Sequence, residues 1–424
     1  MTKKSIAIIG GGPSALMLAT QINTLLYDVT IYEKNLTLGR KFLVAGDGGL
    51  NLTHSEHSND FLARYTPASF IKPYFQAFNN TDLNNWFWDM GIETFIGSSK
   101  RVFPLKETKP IEVLNAILAL VEKNGVKIAT QHTWLGWTEN NELLFNHQNS
   151  EIAVKSDFSI FALGGASWKI TGSDGTWLPL FTQKGIRTIP FQASNCAFET
   201  AWPAELIETC EGQYLKNIAI TCGSLTKKGE LTITKLGLEG GAIYALSNKI
   251  RTQLKEKNEA IVYIDFKPTL HLGAIEKILS NHSKSVSEIL KFDLNVNATQ
   301  VALLKAILSK EDFLSAEILA ENIKKLPVKI VGTAPIDEAI STVGGISLSE
   351  VNTNLELNKM TNTFCMGEML DWDAPTGGYL LQANFTIQPV SVSIDKDISI
   401  GLQEADFSLQ NISIIGNALI SACE

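Results

Sequence analysis

The 424-residue chain is 45% hydrophobic, 19% charged and 8% aromatic, a composition that excludes disordered, collagenous and coiled-coil proteins. Because a single hydrophobic core stops growing near roughly 300 residues, the length predicts two or three domains. The formal net charge of −8 argues against a protein that binds nucleic acid through a positive charge spread over its whole surface. A local basic face is still compatible with that net charge.

The cysteine content and the hydropathy of the sequence indicate the cellular compartment of the protein. The five cysteines are an odd number without a CxxC pair, which fits neither a disulfide framework nor a zinc ribbon. No stretch reaches the roughly 18–20 apolar residues of a membrane span. The apolar run at 5–9 is cut short by glycines, unlike a signal peptide. We therefore expect a cytoplasmic protein with no membrane association and no metal site.

The first elements are predicted to be a strand, a glycine turn and a helix. Residues 5–9 are apolar and β-branched, GGGPSA follows at 10–15, and apolar residues then recur at helical spacing. A second apolar run at 29–32 ends in Glu33, about 20 residues after the glycines. A dinucleotide-binding fold places its ribose-binding acid at this position.

Each residue type in this motif has a physical role. Gly10 allows a tight turn, Gly12 lets the backbone approach a pyrophosphate, and Ala15 permits close packing of helix on strand. The helix N-terminus presents free N–H groups to an anion. Glu33 would accept hydrogen bonds from ribose hydroxyls, which favours FAD or NAD over NADP. The alternative is a plain βαβ turn that binds no ligand.

Three later segments also place glycines at the end of a predicted strand or at the start of a predicted helix. FALGG at 161–165 ends a predicted buried strand, CMGE at 365–368 ends another, and TGGY at 376–379 predicts the start of a helix. Ahead of the first of these strands, alternating residues predict a small β-meander over 133–138, 143–146 and 152–155.

The segments GGGPSA, FALGG, CMGE and TGGYLLQ together resemble the single-FAD flavoproteins of the two-dinucleotide-binding-domain superfamily. A closer similarity is to the family that includes bacterial aminoacetone oxidases, bile-acid Δ4,6-reductases and an rRNA dihydrouridine-forming flavoprotein. It covers about residues 4–385. The segments that carry it are GRKFL (39–43), GGLNLTH (48–54), RVFP (101–104), GELT (229–232) and GGAIY (240–244). Many relatives have Gly-Arg-Cys-Asn where this chain has Gly49-Leu50-Asn51, so it resembles the subgroup without that cysteine.

The resemblance implies an α/β fold with FAD as the cofactor: a doubly wound, Rossmann-like FAD-binding domain with a β-rich insert and a small helical module. The glycine-rich loop 39–53 is expected to cradle the flavin, with Arg40 and Lys41 neutralising the pyrophosphate. The alternative is a surface loop with solvated cations. The helix that starts at Gly377-Gly378 would face the flavin pyrimidine and stabilise negative charge there.

The residues expected to bind the cofactor come from all of these segments. They are Gly10, Gly12, Pro13, Ser14, Ala15, Glu33, Lys34, Arg40, Lys41, Gly46, Gly48, Asn51, Leu52, Thr53, Leu163, Gly164, Gly165, Gly367, Glu368, Gly377, Gly378 and Tyr379.

A change of pattern between residues 190 and 335 suggests the domain organisation. Short strands at 218–222 and 231–234 precede a helical stretch at 270–326 that breaks near Asn281 and Asn295. Near the end, Gln388-Pro389 interrupts the final helix. We predict an FAD-binding domain in two parts (1–189 and 335–385), a β-rich substrate insert (190–268 and 327–334), a helical module (269–326) and a divergent tail (386–424).

The middle of the chain is also slightly basic. Residues 222–330 contain 16 Lys and Arg against 12 Asp and Glu. Such a module could guide an anionic substrate or RNA, whereas a solvated helix surface is the plainer interpretation and the one we favour.

The leading functional hypothesis is an FAD-dependent oxidoreductase that transfers a hydride between flavin N5 and a C=C or C–N bond of a small molecule. No second G-x-G-x-x-G follows a strand, so NAD(P)H would bind only transiently. The alternatives are an RNA-modifying flavoenzyme that reduces a pyrimidine and a non-catalytic FAD-binding protein. His54, Tyr244 and Tyr379 are candidates for acid–base catalysis, although each residue type is more often packed or on the surface.

Overall fold

A computed structural model describes residues 3–46, 49–281 and 283–389, and the backbone of two short strands beyond them. The strands are β1 (Lys4–Ile9), β2 (Tyr27–Tyr32), β3 (Thr53–His54), β4 (Thr94–Ile96), β5 (Arg101–Pro104), β6 (Lys127–Ala129), β7 (His132–Trp137), β8 (Leu143–His147), β9 (Ser150–Val154), β10 (Phe158–Phe161), β11 (Thr188–Ser194), β12 (Phe198–Glu199), β13 (Tyr214–Cys222), β14 (Leu225–Ile233), β15 (Gly237–Glu239), β16 (Ala260–Asp265), β17 (Leu326–Ile330), β18 (Gly332–Thr333), β19 (Ser341–Ile346), β20 (Thr363–Cys365), β21 (Ser393–Asp395) and β22 (Ile398–Ser399).

The α-helices are α1 (Pro13–Gln21), α2 (Arg40–Ala45), α3 (Ser58–Leu62), α4 (Ala68–Ala77), α5 (Asn80–Asp89), α6 (Pro110–Lys123), α7 (Leu178–Gln183), α8 (Ala204–Cys210), α9 (Gly241–Tyr244), α10 (Ser247–Lys257), α11 (Leu272–Leu279), α12 (Val286–Glu288), α13 (Ala298–Ile307), α14 (Lys310–Leu314), α15 (Ala316–Lys325) and α16 (Tyr379–Thr386). Short 3-10 turns lie at Lys169–Thr171, Ile336–Glu338, Leu348–Glu350 and Gly367–Met369, and a π turn at Ile289–Asp293. None of the helices in these described ranges combines the length and apolar character needed to span a bilayer.

A parallel sheet of five strands organises the first and last parts of the chain. Its order is β20-β10-β1-β2-β6, and every neighbouring pair is parallel. Four consecutive residues of β1, from Ile6 to Ile9, are at most 2% exposed, so both faces of the sheet are covered. Parallel sheets have this property because their crossover helices pack on the two faces. The predicted doubly wound α/β architecture is confirmed.

The turn after β1 explains why glycine stands there. Gly10 has a φ of +103°, and an added Cβ atom would collide with the carbonyl oxygen of Ala162 at the end of β10. Only glycine combines that backbone conformation with so close an approach. Pro13 then begins α1, at a helix position where its missing N–H costs nothing.

The predicted meander is confirmed as the antiparallel sheet β7-β8-β9. Its inner face packs beside the end of β10, where the Trp134 and Phe161 ring centroids lie 4.8 Å apart. Phe181 of α7 closes the same aromatic cluster, at 5.7 Å from Trp134.

A second sheet has seven strands in the antiparallel order β17-β16-β13-β14-β15-β12-β18. The strands predicted at 218–222 and 231–234 are each longer and form one hairpin, Tyr214–Cys222 with Leu225–Ile233. The prediction fell short on β14 because its half next to the turn, residues 225–230, is mostly polar and exposed, so hydropathy does not mark it.

Helices α10, α11, α13 and α15 belong with this second sheet around a second hydrophobic cluster. The breaks predicted near residues 281 and 295 are confirmed by the ends of α11 and of the π turn. Two further breaks arise because Ser309 and Ser315 cap α14 and α15 by accepting hydrogen bonds from Asp312 N and Ile318 N. The domain boundaries given above stay a prediction, and the predicted tail lies outside the described residues from residue 390 on, except for the backbone of β21 and β22.

A buried ion pair connects the two hydrophobic clusters. Arg251 of α10 donates to Asp373 Oδ2, and the two side chains are 10% and 8% exposed. Asp373 Oδ1 accepts a hydrogen bond from Ser194 Oγ at 2.7 Å, and Ser194 Oγ accepts one from Arg251 at 2.9 Å. The network thus joins α10, β11 and the segment before α16.

We expect Asp373→Asn to lower the free energy of unfolding by about 3–5 kcal/mol, because it leaves the Arg251 charge buried without a counter-ion. The matched control is Asp28→Asn, which removes the carboxylate of an exposed pair with Lys127 and should cost less than about 1 kcal/mol. Urea denaturation measures both. Equal losses in the two variants would show that the buried pair does not stabilise the junction.

Candidate functional site

The end of the parallel sheet opens into a cleft of about 760 Å³. Two glycine turns line it, the one between β1 and α1 and the one before α16, although more than 350 residues separate them. Both turns lead directly into helix N-termini, whose free N–H groups and positive dipole ends attract anions. The cleft therefore has an anion-binding end on each of two helices.

Gly12 leaves room for a ligand at the first turn. Its φ of −82° is accessible to any residue, and no atom lies within 4 Å of where an added Cβ atom would stand. Because the fold itself does not require glycine there, the space in front of Gly12 is available to a bound group.

Glu33, at the end of β2, is 8% exposed and accepts three hydrogen bonds from the protein. Its Oε2 accepts one from Gly11 N at 2.7 Å, and its Oε1 accepts two from the backbone and side-chain nitrogens of Asn35, at 2.8 and 2.7 Å. Arg40 Nη1 then donates to Asn35 Oδ1 at 2.8 Å. The carboxylate predicted to bind a ribose thus also fixes the glycine turn and orients Arg40.

The lysines of the cleft are held by acids. Lys41 Nζ lies 3.1 Å from Glu368 Oε2 and donates to Ser167 Oγ at 2.9 Å. Lys34 Nζ lies 2.7 Å from Asp174 Oδ2. Each of these ammonium groups is therefore fixed at the wall of the cleft.

The segment predicted as a flavin-cradling loop over 39–53 contains a helix, which corrects that prediction. Gly39 has a φ of +68°, and α2 begins directly after it. Arg40 and Lys41 line the cleft from the first turn of this helix rather than from a loop. A six-residue helix flanked by glycines leaves too little periodicity to be recognised in the sequence.

The structure brings fourteen of the predicted cofactor-binding residues to the cleft and places others behind it. The fourteen are Gly10, Gly12, Pro13, Ser14, Glu33, Lys34, Arg40, Lys41, Asn51, Leu163, Gly164, Glu368, Gly377 and Gly378. Within the described ranges, those that do not line it are Ala15, Gly46, Leu52, Thr53, Gly165, Gly367 and Tyr379. Gly48 lies outside the described residues.

The residues behind the cleft have structural partners. Thr53 Oγ1 donates to Gln382 Oε1 of α16 at 2.6 Å. An added Cβ atom at Gly165 would collide with Thr342, and one at Gly367 would collide with the Ser14 hydroxyl. The residue types at these positions are therefore explained by close packing around the site, and these residues do not line its interior.

The tyrosine that follows the second glycine turn belongs to a buried polar network. Tyr379 Oη donates to Glu56 Oε1 at 2.6 Å, and Arg64 holds both oxygens of Glu56 at 2.9 and 2.7 Å. Burial, assisted by Glu56, raises the pKa of Tyr379 well above its ordinary value. Although burial opposes it, the hydrogen bonds from Arg64 and Tyr379 lower the pKa of Glu56. At neutral pH the phenol is therefore protonated and the carboxylate ionised.

His54 and Tyr244, the other predicted acid–base residues, also lie off the cleft wall. The His54 ring stacks on Tyr379 with centroids 5.2 Å apart, and burial lowers its pKa even though Glu56 opposes the shift. His54 is therefore neutral at pH 7. Tyr244 lies in α9 of the second sheet's cluster, where burial raises its pKa to about 12.

Some cleft residues had no predicted role. Asn35, Trp168, Asp174, Trp177, Met366, Thr376 and Asn384 all line it. Asn35 follows Glu33, the acid predicted to bind a ribose, by two residues. This spacing is the one feature of the sequence that could have identified Asn35 as a residue of the site. Trp177 donates from Nε1 to the Gly164 carbonyl at 3.0 Å, a contact that only the folded chain creates.

Comparisons with known proteins bear on this geometry. Residues 4–390 match the family model described as HI0933-like protein Rossmann domain. The chain is 25% identical over 392 residues to a ribosomal RNA dihydrouridine synthase of Haemophilus influenzae, covering 88% of this chain and 94% of that one. It is 23% identical over 410 residues to a 3-dehydro-bile acid delta(4,6)-reductase of Clostridium scindens, covering 89% and 95%.

Among solved structures, a 3-ketosteroid-delta4-(5alpha)-dehydrogenase from Rhodococcus jostii RHA1 matches 91% of this chain and 95% of its own, with a TM-score of 0.48 and 12% identity. A 3-ketosteroid delta1-dehydrogenase from Sterolibacterium denitrificans matches 91% and 98%, with a TM-score of 0.44 and 11% identity. Similarity at this level is too low to bear on activity.

We expect Gly12→Ala to fold with unchanged stability and to bind FAD at least about tenfold more weakly, because its methyl group enters space that a pyrophosphate would need. Flavin fluorescence quenching measures the affinity, and thermal unfolding measures the stability. Gly273→Ala, in α11 and equally free of neighbours within 4 Å, is the matched control. Full FAD affinity in Gly12→Ala would show that the cofactor does not approach this turn.

Proposed function

This chain belongs to the HI0933-like protein Rossmann domain family and is an FAD-dependent oxidoreductase, and we propose that it transfers a hydride between the flavin and a C=C or C–N bond of a small molecule. The observation that carries the proposal is that two glycine turns and two helix N-termini line the same cleft. We also propose a cytoplasmic location, which is supported by the four described cysteines, all buried and unpaired.

The residues of the cleft fit FAD. The volume of about 760 Å³ is in the range of cofactor sites, and the open space in front of Gly12 admits a phosphate group beside the N-terminus of α1. Arg40 and Lys41 would neutralise phosphate charge, and Glu33 with Asn35 would hold the adenosine ribose. The second turn, Gly377-Gly378, would take the flavin ring end. When bound, FAD supplies a site that accepts or donates a hydride.

The chain's own residues fix charge around this end of the cleft. The α16 N-terminus offers backbone N–H groups to negative charge on the ring end, in a setting where such donors need no reorganisation. Tyr379 keeps its proton on Oη through its bond to Glu56, so it acts in positioning α16 rather than as a free acid. The aromatic rings of Trp168 and Trp177 add apolar surface to the wall of the cleft.

The bond type in the proposal is supported by a relative. The bile-acid protein of Clostridium scindens is named a delta(4,6)-reductase, and its similarity extends over 89% of this chain. We propose the same class of reaction, reduction of a carbon–carbon double bond by the reduced flavin, with a nicotinamide as a transient electron donor to the flavin. The donor would bind without a second Rossmann motif of its own.

An anaerobic absorbance spectrum of the purified protein, recorded before and after NADH or NADPH, tests the proposal. We expect a flavin band, release of FAD on denaturation, and bleaching of the band by a nicotinamide. Bound FAD that no nicotinamide reduces would point to an oxidase, another donor or a non-catalytic binding protein. A protein that takes up no FAD on reconstitution would contradict the central assignment.

A second candidate is an RNA-modifying flavoenzyme that reduces a pyrimidine. It is favoured by the hairpin β13–β14, whose exposed Lys216 and Lys228 add positive charge to the slightly basic middle of the chain. The relative from Haemophilus influenzae is named an rRNA dihydrouridine synthase.

The salt dependence of binding distinguishes an RNA substrate from a small-molecule substrate. An RNA enzyme should retain ribosomal RNA at low salt and lose most of that affinity between about 50 and 200 mM salt, as backbone phosphate contacts require. Filter binding with a DNA duplex of equal charge is the control. Indifference to RNA at 50 mM salt would exclude this candidate and leave the small-molecule reaction.

A further inference from the structure

The RVFP motif places a cation where three parts of the chain meet. Arg101 begins β5, whose neighbour β3 pairs His54 with Arg101. An added Cβ atom at Gly377 would stand 2.9 Å from Arg101 Nε, and one at Gly241 would stand 3.5 Å from Arg101 Nη2. The guanidinium therefore lies against the glycine turn of the cleft on one side and against α9 on the other. We call this place the junction.

Arg101 has no acidic partner at the junction. In the part of the chain that the structure describes, no carboxylate lies within 4.0 Å of its guanidinium, and no side-chain hydrogen bond leaves it. The contrast with Arg64 is clear, because both oxygens of Glu56 hold that guanidinium. A half-buried guanidinium has given up part of its hydration and gains most from a planar oxyanion that it can bind with two parallel hydrogen bonds.

A second cation lies on the face of the hairpin that meets α9. An added Cβ atom at Gly229 would stand 3.2 Å from Ala242 Cβ in α9, and Lys227 lies two residues before Gly229 on the same face of β14. Lys227 of β14 is half-buried, and within the described ranges it too has no carboxylate within 4.0 Å. Burial lowers the pKa of Lys227, and Arg64 lowers it further while Glu56 opposes the shift. Because side chains alternate along a strand, the neighbouring Lys228 points the other way and is exposed.

We infer that Arg101, with Lys227 as a second cation, binds a carboxylate of the substrate at the junction. This assignment rests on the proposed function, because it takes the flavin ring end to lie at Gly377. The cleft has its own cations, Lys34, Arg40 and Lys41, for the charges of the cofactor, and Arg101 does not line it. The group that Arg101 binds therefore sits beside the Gly377 wall of the cleft, between that turn and α9.

Calorimetric titration of the FAD-loaded protein with benzoate and with benzamide tests the inference. The two probes have nearly the same shape and differ in charge. We expect benzoate to bind at least about tenfold more tightly than benzamide, because a charge-assisted double hydrogen bond to a guanidinium is available only to the carboxylate. Absence of benzoate binding, or equal affinity for the two probes, would overturn the assignment.

Variants locate the site. Arg101→Gln should weaken benzoate at least about tenfold and leave benzamide unchanged, whereas Arg101→Lys should recover part of the loss because it keeps the charge without the planar fork. Lys227→Gln should weaken benzoate about threefold, and the matched control Lys228→Gln should not change it. Undiminished benzoate binding by Arg101→Gln would overturn the assignment.

The flavin band separates this inference from the proposed function. Arg101→Gln should retain FAD with wild-type affinity, and loss of FAD from it would show that Arg101 binds the cofactor instead, which overturns the inference. Failure of the proposed function would appear differently, as a wild-type protein that takes up no FAD. An FAD-loaded wild-type protein that does not distinguish benzoate from benzamide contradicts the inference alone.

Discussion

The parallel register of β1, β10 and β20 is the constraint on which the cleft depends. Ile9 stands opposite Phe161, and Phe161 stands opposite Cys365, so the three strands end at the same level. Parallel strands carry their carboxyl ends to one edge of a sheet, and the glycine turns that follow them must then meet there. Segments from the beginning, middle and end of the chain are thereby placed around one ligand-sized space.

The carboxylate of Glu33 shows how structure and binding share one group. It holds the amide of Gly11 in the first turn and, through Asn35, orients Arg40. A buried carboxylate loses its hydrating water and needs such donors in its place, and here the donors are the residues that shape the adenosine end of the cleft. The acid thus organises the site before any ligand arrives, which reduces the entropy lost on binding.

Two buried polar networks hold the segment around the start of α16, and one of them connects that segment to α10 of the second hydrophobic cluster. The ion pair of Arg251 with Asp373 and the network of Arg64, Glu56 and Tyr379 both involve the segment that leads into or begins α16. Buried polar networks fix geometry because each member loses its partners if the others move. The Gly377-Gly378 turn is therefore held in place by Asp373 on one side and by Tyr379 on the other. Arg101 lies against Gly377, so the geometry of the junction depends on the same two networks.

The sequence by itself determined the Rossmann motif, four of the five strands of the parallel sheet (all but β6), the meander and most of the cleft's glycines and cations. These features are local, because strand periodicity and the backbone freedom of glycine act over a few residues. It did not reveal the helix after Gly39, the full length of the hairpin β13–β14, or the partners of Thr53 and Tyr379. Tertiary structure alone decided those contacts, since Tyr379 and Glu56 are 323 residues apart and no local pattern records a hydrogen bond across that distance.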